Sequence, residues 1–426
     1  MSETLSPPPD AAALAALQQR TIWVLSLGQV LGGLAFGATV SVGAILAAQV
    51  SGDEALSGWA TASVTLGTAA TAVPLAALAR RRGRRPALAV GMLIALVGVG
   101  MVVTAVGVWS FPLLIAGFLL IGAGQAANLQ SRFAAADLAT DTSRARDLSI
   151  VIWATTIGAV LGPNLVGPGE AIGHMLGMPQ LTGAYVFTVI TQGLGVVLYL
   201  VFLRPDPLTT AQRVTAHHAA SGNRIAHADQ PMAARYAILA VAGAHVVMVS
   251  VMAMTPVHLE HAGATIQIIG LTISLHIAGM YALSPVFGML ADRLGRLAVI
   301  MIGQVLLVAA LLTAALGQHS TAAVTVALIL LGLGWSATTV SGAALLTEAS
   351  AEQWRTRRQG HNDLIMSLVG GIGAILAGLV LASIDYGGLA LVALVVVAAV
   401  IVCAPLGRMR TGEGAPARTG ASSRDA

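Results

Sequence analysis

Two residue pairs in this chain could bind a soft metal ion. Met248 and Met252 are one helical turn apart and share a face, and so are His276 and Met280. Thioether sulfur and neutral imidazole suit Cu(I). Neither ligand is charged, and a carboxylate cage for Mg²⁺ or Mn²⁺ would cost far more to bury in apolar surroundings. The stretch HVVMVSVMAMTPVHLEH, His245 to His261, holds the first pair. It also supplies His245, Met254, His258 and His261 as candidate extensions of the metal set. The competing reading is plain: methionine fills cores, and a buried histidine often just bonds a carbonyl.

Whether four such residues can meet depends on the elements that carry them. The chain has 426 residues, of which 56% are hydrophobic and 9% charged, and its mean hydropathy is +0.84. A soluble protein carries roughly 25% charged residues, so the solvent implied here is a bilayer. Twelve apolar stretches reach spanning length, roughly 22–50, 56–79, 86–107, 111–131, 148–167, 183–203, 236–259, 266–290, 297–316, 321–346, 361–383 and 387–406. The fold class expected is an all-α membrane protein of twelve transmembrane helices in two pseudo-symmetric six-helix bundles.

Every basic residue outside histidine is an arginine, and all fall on one side of that twelve-span layout. Arg80, Arg81, Arg82, Arg84 and Arg85 follow the second span, Arg132, Arg144 and Arg146 the fourth, Arg293 and Arg296 the eighth, and Arg355, Arg357 and Arg358 the tenth. The remainder lie in the central linker and the tails. By the positive-inside rule, both termini are cytoplasmic. The excess of positive charge therefore reports topology and gives no reason to expect nucleic acid. The single cysteine, Cys403, rules out an intrachain disulfide and a paired-cysteine redox site. The N-terminus has no basic stretch before an apolar core and does not read as a cleaved signal peptide.

The expected organisation is a cytoplasmic tail (1–20), an N-terminal bundle (21–203), a mobile cytoplasmic linker (204–235), a C-terminal bundle carrying the metal residues (236–408), and a second cytoplasmic tail (409–426). An internal repeat supports the two halves. GMLADRLGRLAVI begins at Gly288, and AALARRRGRRPAL begins at Ala76, 212 residues earlier. Gly295 matches Gly83 and Arg296 matches Arg84, but Arg80 stands where the second copy has Asp292.

The second copy resembles the signature loop of the major facilitator superfamily. That resemblance implies that Asp292 caps a neighbouring helix and, with Arg293 and Arg296, holds a cytoplasmic gate. In the fifth span, GAVLGPNLVGPG resembles the Gly-Pro element of drug/proton antiporters, with Gly158 and Gly162 for close packing and Pro163 for a bend. Finally, Met-x-x-x-Met and His-x-x-x-Met, 28 residues apart in spans seven and eight, resemble the CcoA-like bacterial copper importers of that superfamily. This implies a copper importer of the inner membrane that serves cytochrome oxidase assembly. Met248, Met252, His276 and Met280 would be its metal residues and copper its transported substrate. No permanent cofactor is expected. The partners expected are the copper ion, the bilayer and a cytoplasmic copper chaperone.

Depth agrees with a common site. At 1.5 Å per residue, Met248 and Met252 lie about 18 and 24 Å from the inner end of their span, and Met280 and His276 about 15 and 21 Å from theirs. If spans seven and eight are neighbours, Met248 can face Met280 and Met252 can face His276. At the outer mouth, Glu170, His174, Met175, Met178, His258, Glu260 and His261 could collect metal, with solvated loops as the plainer reading. His217, His218 and His227 fall in the linker.

The alternative function is a proton-coupled exporter of drugs or other organic solutes. Its weakness is that acids avoid the spans, Asp363 near the start of the eleventh being the nearest to an exception. A sugar porter would need more than 4% aromatic residues, although Gln29, Gln125, Asn128, Gln130 and Asn164 could line a polar path. A metal sensor with a transporter fold is a third reading. No nucleophile–base constellation or cofactor loop suggests an enzyme.

Overall fold

The computed structural model describes residues 11–53, 56, 59–140, 142–162, 165–220, 229–264 and 266–409. These residues are helical almost throughout. A chain whose surroundings offer no water must satisfy its backbone within each spanning segment, and only the helix does so locally. The N-terminal helices are α1 (Ala11–Ser51), α2 (Trp59–Arg82), α3 (Arg84–Gly107), α4 (Phe111–Ala136), α5 (Arg144–Leu161), α6 (Val166–Met175) and α7 (Ala184–Phe202). Helix α8 (Pro207–Ala220) lies in the connection. The C-terminal set is α9 (Pro231–His261), α10 (Ile266–Tyr281), α11 (Ser284–Leu294), α12 (Arg296–Leu316), α13 (Thr321–Glu348) and α14 (Glu352–Val402).

Among the described residues, ten stretches are long and apolar enough to cross a membrane. Helix α1 and the α5–α6 pair supply the other two of the twelve expected spans. Large apolar side chains such as Val97, Leu194, Leu379 and Val395 are more than half exposed, which suits lipid as the outer solvent.

Two spans and one junction depart from a simple rod. The eighth breaks between α10 and α11, where Pro285 follows Ser284 at the new helix start; a proline offers no N–H and clashes with the carbonyl four residues back, that of Tyr281. The fifth is divided at Gly162, which ends α5. Helix α14 contains the eleventh and twelfth spans, joined through non-helical backbone at Ile384 and Asp385. Asp385 has φ 65° and ψ −175°, a combination outside the left-handed helical region and one that only glycine adopts freely, and its carboxylate accepts the Gly388 N–H at 2.8 Å.

Part of the linker is helical. Residues 207–220 form α8, which buries Leu208 and Thr210, and α9 begins at Pro231 rather than near 236. The first helix likewise begins at Ala11, inside the segment read as a tail. Residues 221–228, with His227, lie outside the described residues.

Helices α1–α7 pack among themselves, as do α9–α14. The two sets meet through α2 on α14 and α5 on α11. These contacts gather on the arginine-rich side. One apolar cluster there joins Phe133, Leu148 and Ile152 of the first half to Tyr236, Ile300 and Val340 of the second. The repeat shows in the crossings: Ala76 sits against Gly360, and Gly288 against Ser149.

Candidate functional site

The soft side chains collect in the core of the C-terminal half. Met248 and Met280 are 2% and 7% exposed, in a single apolar cluster with Leu328, Leu331 and Trp335. Met252 and Met254 pack against the same cluster from its edge. Helix α9 lies mainly on α14 and α13, while α10 lies mainly on α13, so α9 and α10 touch only lightly. Direct contact between spans seven and eight, the condition for Met248 to face Met280 and Met252 to face His276, is therefore slight. Helix α13 is the surface both share.

His276 is fully buried, and its Nδ1 lies 2.7 Å from the carbonyl oxygen of Leu328 on α13. A carbonyl can only accept, so Nδ1 carries the proton and donates. That leaves Nε2 with a lone pair, and Nε2 is buried with no partner. A metal-binding histidine commonly has this arrangement, with one nitrogen fixed to a carbonyl and the other free. The crossing that sets it is made by glycines. A Cβ at Gly332 of α13 would lie 2.5 Å from the His276 carbonyl oxygen and 2.9 Å from the Met280 nitrogen, so only glycine lets α10 come this close.

The candidate extensions are arranged differently. His245 Nδ1 accepts the indole N–H of Trp335 at 3.2 Å, which leaves its other nitrogen as the protonated one and makes it a poor further ligand. The His258 imidazole bonds the Gln318 carbonyl at 2.7 Å and stacks on Tyr386 at 4.3 Å. His261 is exposed at the end of α9. On α6, Glu170 accepts the N–H groups of Leu181 and Gly183 at 3.0 and 2.7 Å, so it holds the turn that leads into α7. His174 and Met175 are exposed, and Met178 is half-buried. Among the described residues no trio of His, Cys, Asp or Glu gathers at one point.

The loop expected to form a gate does bridge the halves. The Asp292 carboxylate accepts the backbone N–H groups of Ala145 and Arg146 at 3.2 and 2.9 Å, at the start of α5. There its charge also complements the helix dipole. Arg296 pairs with Asp292 at 2.7 Å and with Glu348 at 3.2 Å, while Arg293 is exposed. Gly83 and Gly295, equivalent in the repeat, take φ values of 93° and 92°, which glycine adopts without strain.

The first-half loop, lacking the acid, is organised around its arginine instead. Arg84 pairs with Asp137 at 2.8 Å and donates to Gln359 of the other half at 2.7 Å. About one helical turn further in, Arg132 of α4 bonds Asp363 of α14, with both side chains almost wholly buried. Sequence reasoning missed these partners, because arginines near span ends read as topology signals and Asp363 as an end-of-span acid. Gly158 packs on Gly33 of α1, as expected for close helix contact. Gly162 ends α5, and Pro163 and Asn164 lie outside the described residues.

A broken-helix, two-half architecture with a charged closure is the geometry of an alternating-access porter, and the comparisons with known proteins agree. A family model for the Major Facilitator Superfamily matches residues 25–267 and 237–424. The "Uncharacterized MFS-type transporter YdeG" of Bacillus subtilis (strain 168) is 37% identical over 88% of this chain and 89% of its own length. The "Riboflavin transporter RfnT" of Brucella anthropi is 28% identical over 83% of this chain and 86% of its own. Among solved structures, the human organic anion transporter MFSD10 (TETRAN) superimposes with a TM-score of 0.71 over 92% of this chain and 99% of its own, at 17% identity, which speaks to the fold alone. The chain is a multi-pass membrane protein that belongs to the Major Facilitator Superfamily, whose members are transporters.

Proposed function

We propose that this transporter moves copper, as Cu(I), inward across the inner membrane, with both termini cytoplasmic. The observation that carries the reading is His276: one ring nitrogen is tied to the Leu328 carbonyl, and the other is buried and free. It lies one helical turn from Met280, which shares an apolar cluster with Met248 and Met252. Such a set of side chains favours a soft monovalent ion over harder divalent ones, because its ligands would be uncharged. On this reading copper meets Met252 and His276, passes to Met248 and Met280, and leaves when the closure around Asp292 and Arg132 opens. Delivery to a cytoplasmic chaperone and to cytochrome oxidase assembly belongs to the same proposal.

The test is copper accumulation in cells expressing wild type, Met248→Ala/Met252→Ala or His276→Ala/Met280→Ala at equal membrane levels. Accumulation by wild type that both variants lose supports the reading. Equal copper in all three leaves these side chains as core packing.

A second reading, transport of an organic solute, rests on the 28% identical relative named as a riboflavin transporter and on the amide-rich interior of the first half. Uptake of a labelled organic solute by the same double variants, with copper accumulation unchanged, would favour it.

A further inference from the structure

A narrow cavity lies inside the first bundle, enclosed by α1, α4 and α7. Gly32, Phe36, Thr39, Gln125, Asn128 and Gln192 line it, and it has room for about one water-sized sphere. Counting from the ends of α7 (Ala184–Phe202), Gln192 sits about 12 Å from one and about 15 Å from the other, near mid-membrane.

Its polar groups are oddly provided for. Asn128 and Gln192 are 7% and 5% exposed, and the side-chain carbonyl oxygen of each is buried with no partner. Three residues before Gly32, Gln29 has a third such oxygen. Thr39 is 1% exposed and donates to the Ala35 carbonyl at 2.8 Å, so its lone pairs stay free to accept. Among the described residues the unpartnered buried amide atoms here are all oxygens and never nitrogens. These buried oxygens are acceptors without a donor, and a donor or a cation would complete them.

The space is maintained by glycine. A Cβ at Gly32 would lie 2.2 Å from the Asn128 oxygen, and one at Gly124 would lie 2.9 Å from the Gln192 nitrogen. No charged side chain lines the cavity. A divalent ion would want carboxylates, and Cu(I) would want sulfur or imidazole. Neutral oxygens that replace a hydration shell suit a small monovalent cation.

We propose that this cavity is a sodium site, formed by the amide oxygens of Asn128 and Gln192 and the hydroxyl of Thr39. Bound there, sodium ties α1, α4 and α7 of the first half together. The inference is independent of the copper reading, since it concerns the other half of the molecule and a hard ion.

The experiment is thermal unfolding of the purified protein in sodium, potassium or choline chloride at equal ionic strength. Wild type is expected to show a saturable rise in Tm in sodium alone. Gln192→Leu and Asn128→Leu are each expected to weaken apparent sodium affinity by about tenfold or more, as loss of one bond to a charged group implies. Thr39→Val is the milder variant for use if the amide variants fail to fold. An identical Tm for wild type in all three salts overturns the proposal and leaves water as the occupant. A sodium effect that survives unchanged in Thr39→Val and in whichever amide variants fold also overturns it, by placing the ion elsewhere.

Discussion

The Arg132 guanidinium on α4 donates to the Asp363 carboxylate on α14, joining the two halves across 231 residues of sequence, with 3% and 1% of the side chains exposed. Asn362 supports the same carboxylate oxygen at 3.2 Å. The pair stands inward of the Arg84–Asp137–Gln359 contact and completes the closure on the arginine-rich side.

Removing one partner of such a pair leaves a buried charge, at a cost of about 3–5 kcal/mol. Asp363→Asn is therefore expected to open this side. In a Cys403→Ser background, spin labels at Arg81→Cys and Arg357→Cys would report the distance between the halves. The label distance should lengthen in Asp363→Asn, and the swap Arg132→Asp/Asp363→Arg should restore part of it. An unchanged distance would mean that the apolar contacts alone hold the closure.

Asp292 acts on the same closure through backbone groups. Asp292→Ala deprives the start of α5 of its acceptor, worth about 0.5–2 kcal/mol, and takes one partner from Arg296. Asp292→Asn keeps an acceptor but loses the charge. Tm is expected to fall in the order wild type, Asn, Ala. Equal melting of all three would show that the α5 contact carries no stability.

The α10–α13 crossing places the candidate metal residues. Gly332→Val forces side-chain atoms into the His276 carbonyl and the Met280 nitrogen, an overpacking cost of about 1–3 kcal/mol. Copper accumulation is expected to fall as far as that predicted for His276→Ala/Met280→Ala, although neither candidate metal residue has been altered. Normal accumulation in Gly332→Val would mean that the spacing of α10 from α13 does not matter.

Outside the membrane spans, Asp229 receives both terminal nitrogens of Arg358 at 2.7 and 2.8 Å and the Ala351 N–H at 2.9 Å. The hydrogen bond from Arg358 chiefly holds this carboxyl below its ordinary range. A group with a lowered folded pKa adds stability above its unfolded value, near 3.9, and loses it as pH falls through the folded value. Asp229→Asn should therefore lower Tm at neutral pH by the equivalent of at most about 1 kcal/mol. The gap should close below about pH 4. A gap that persists in acid would point to lost packing in place of lost charge.

The sequence by itself determined the solvent, the span count, the sidedness of the arginines and the two-fold repeat. Those properties follow from composition and period, which act locally along the chain: an apolar run of about 20 residues must be a helix in lipid. It also singled out Met248, Met252, His276 and Met280 by type and turn spacing, and Asp292 by the loop that carries it. Only the tertiary structure decided which groups meet. The sequence does not show that α9 and α10 touch only lightly and share α13, because helix neighbourhood depends on how ridges and glycines fit between segments distant in the chain. The free nitrogen of His276 depends on the Leu328 carbonyl, 52 residues away. Asp363 read as an end-of-span acid because its arginine lies in the other half. The unpartnered amides of Asn128 and Gln192 became a site only when three helices enclosed them, since a buried oxygen without a donor is a property of packing.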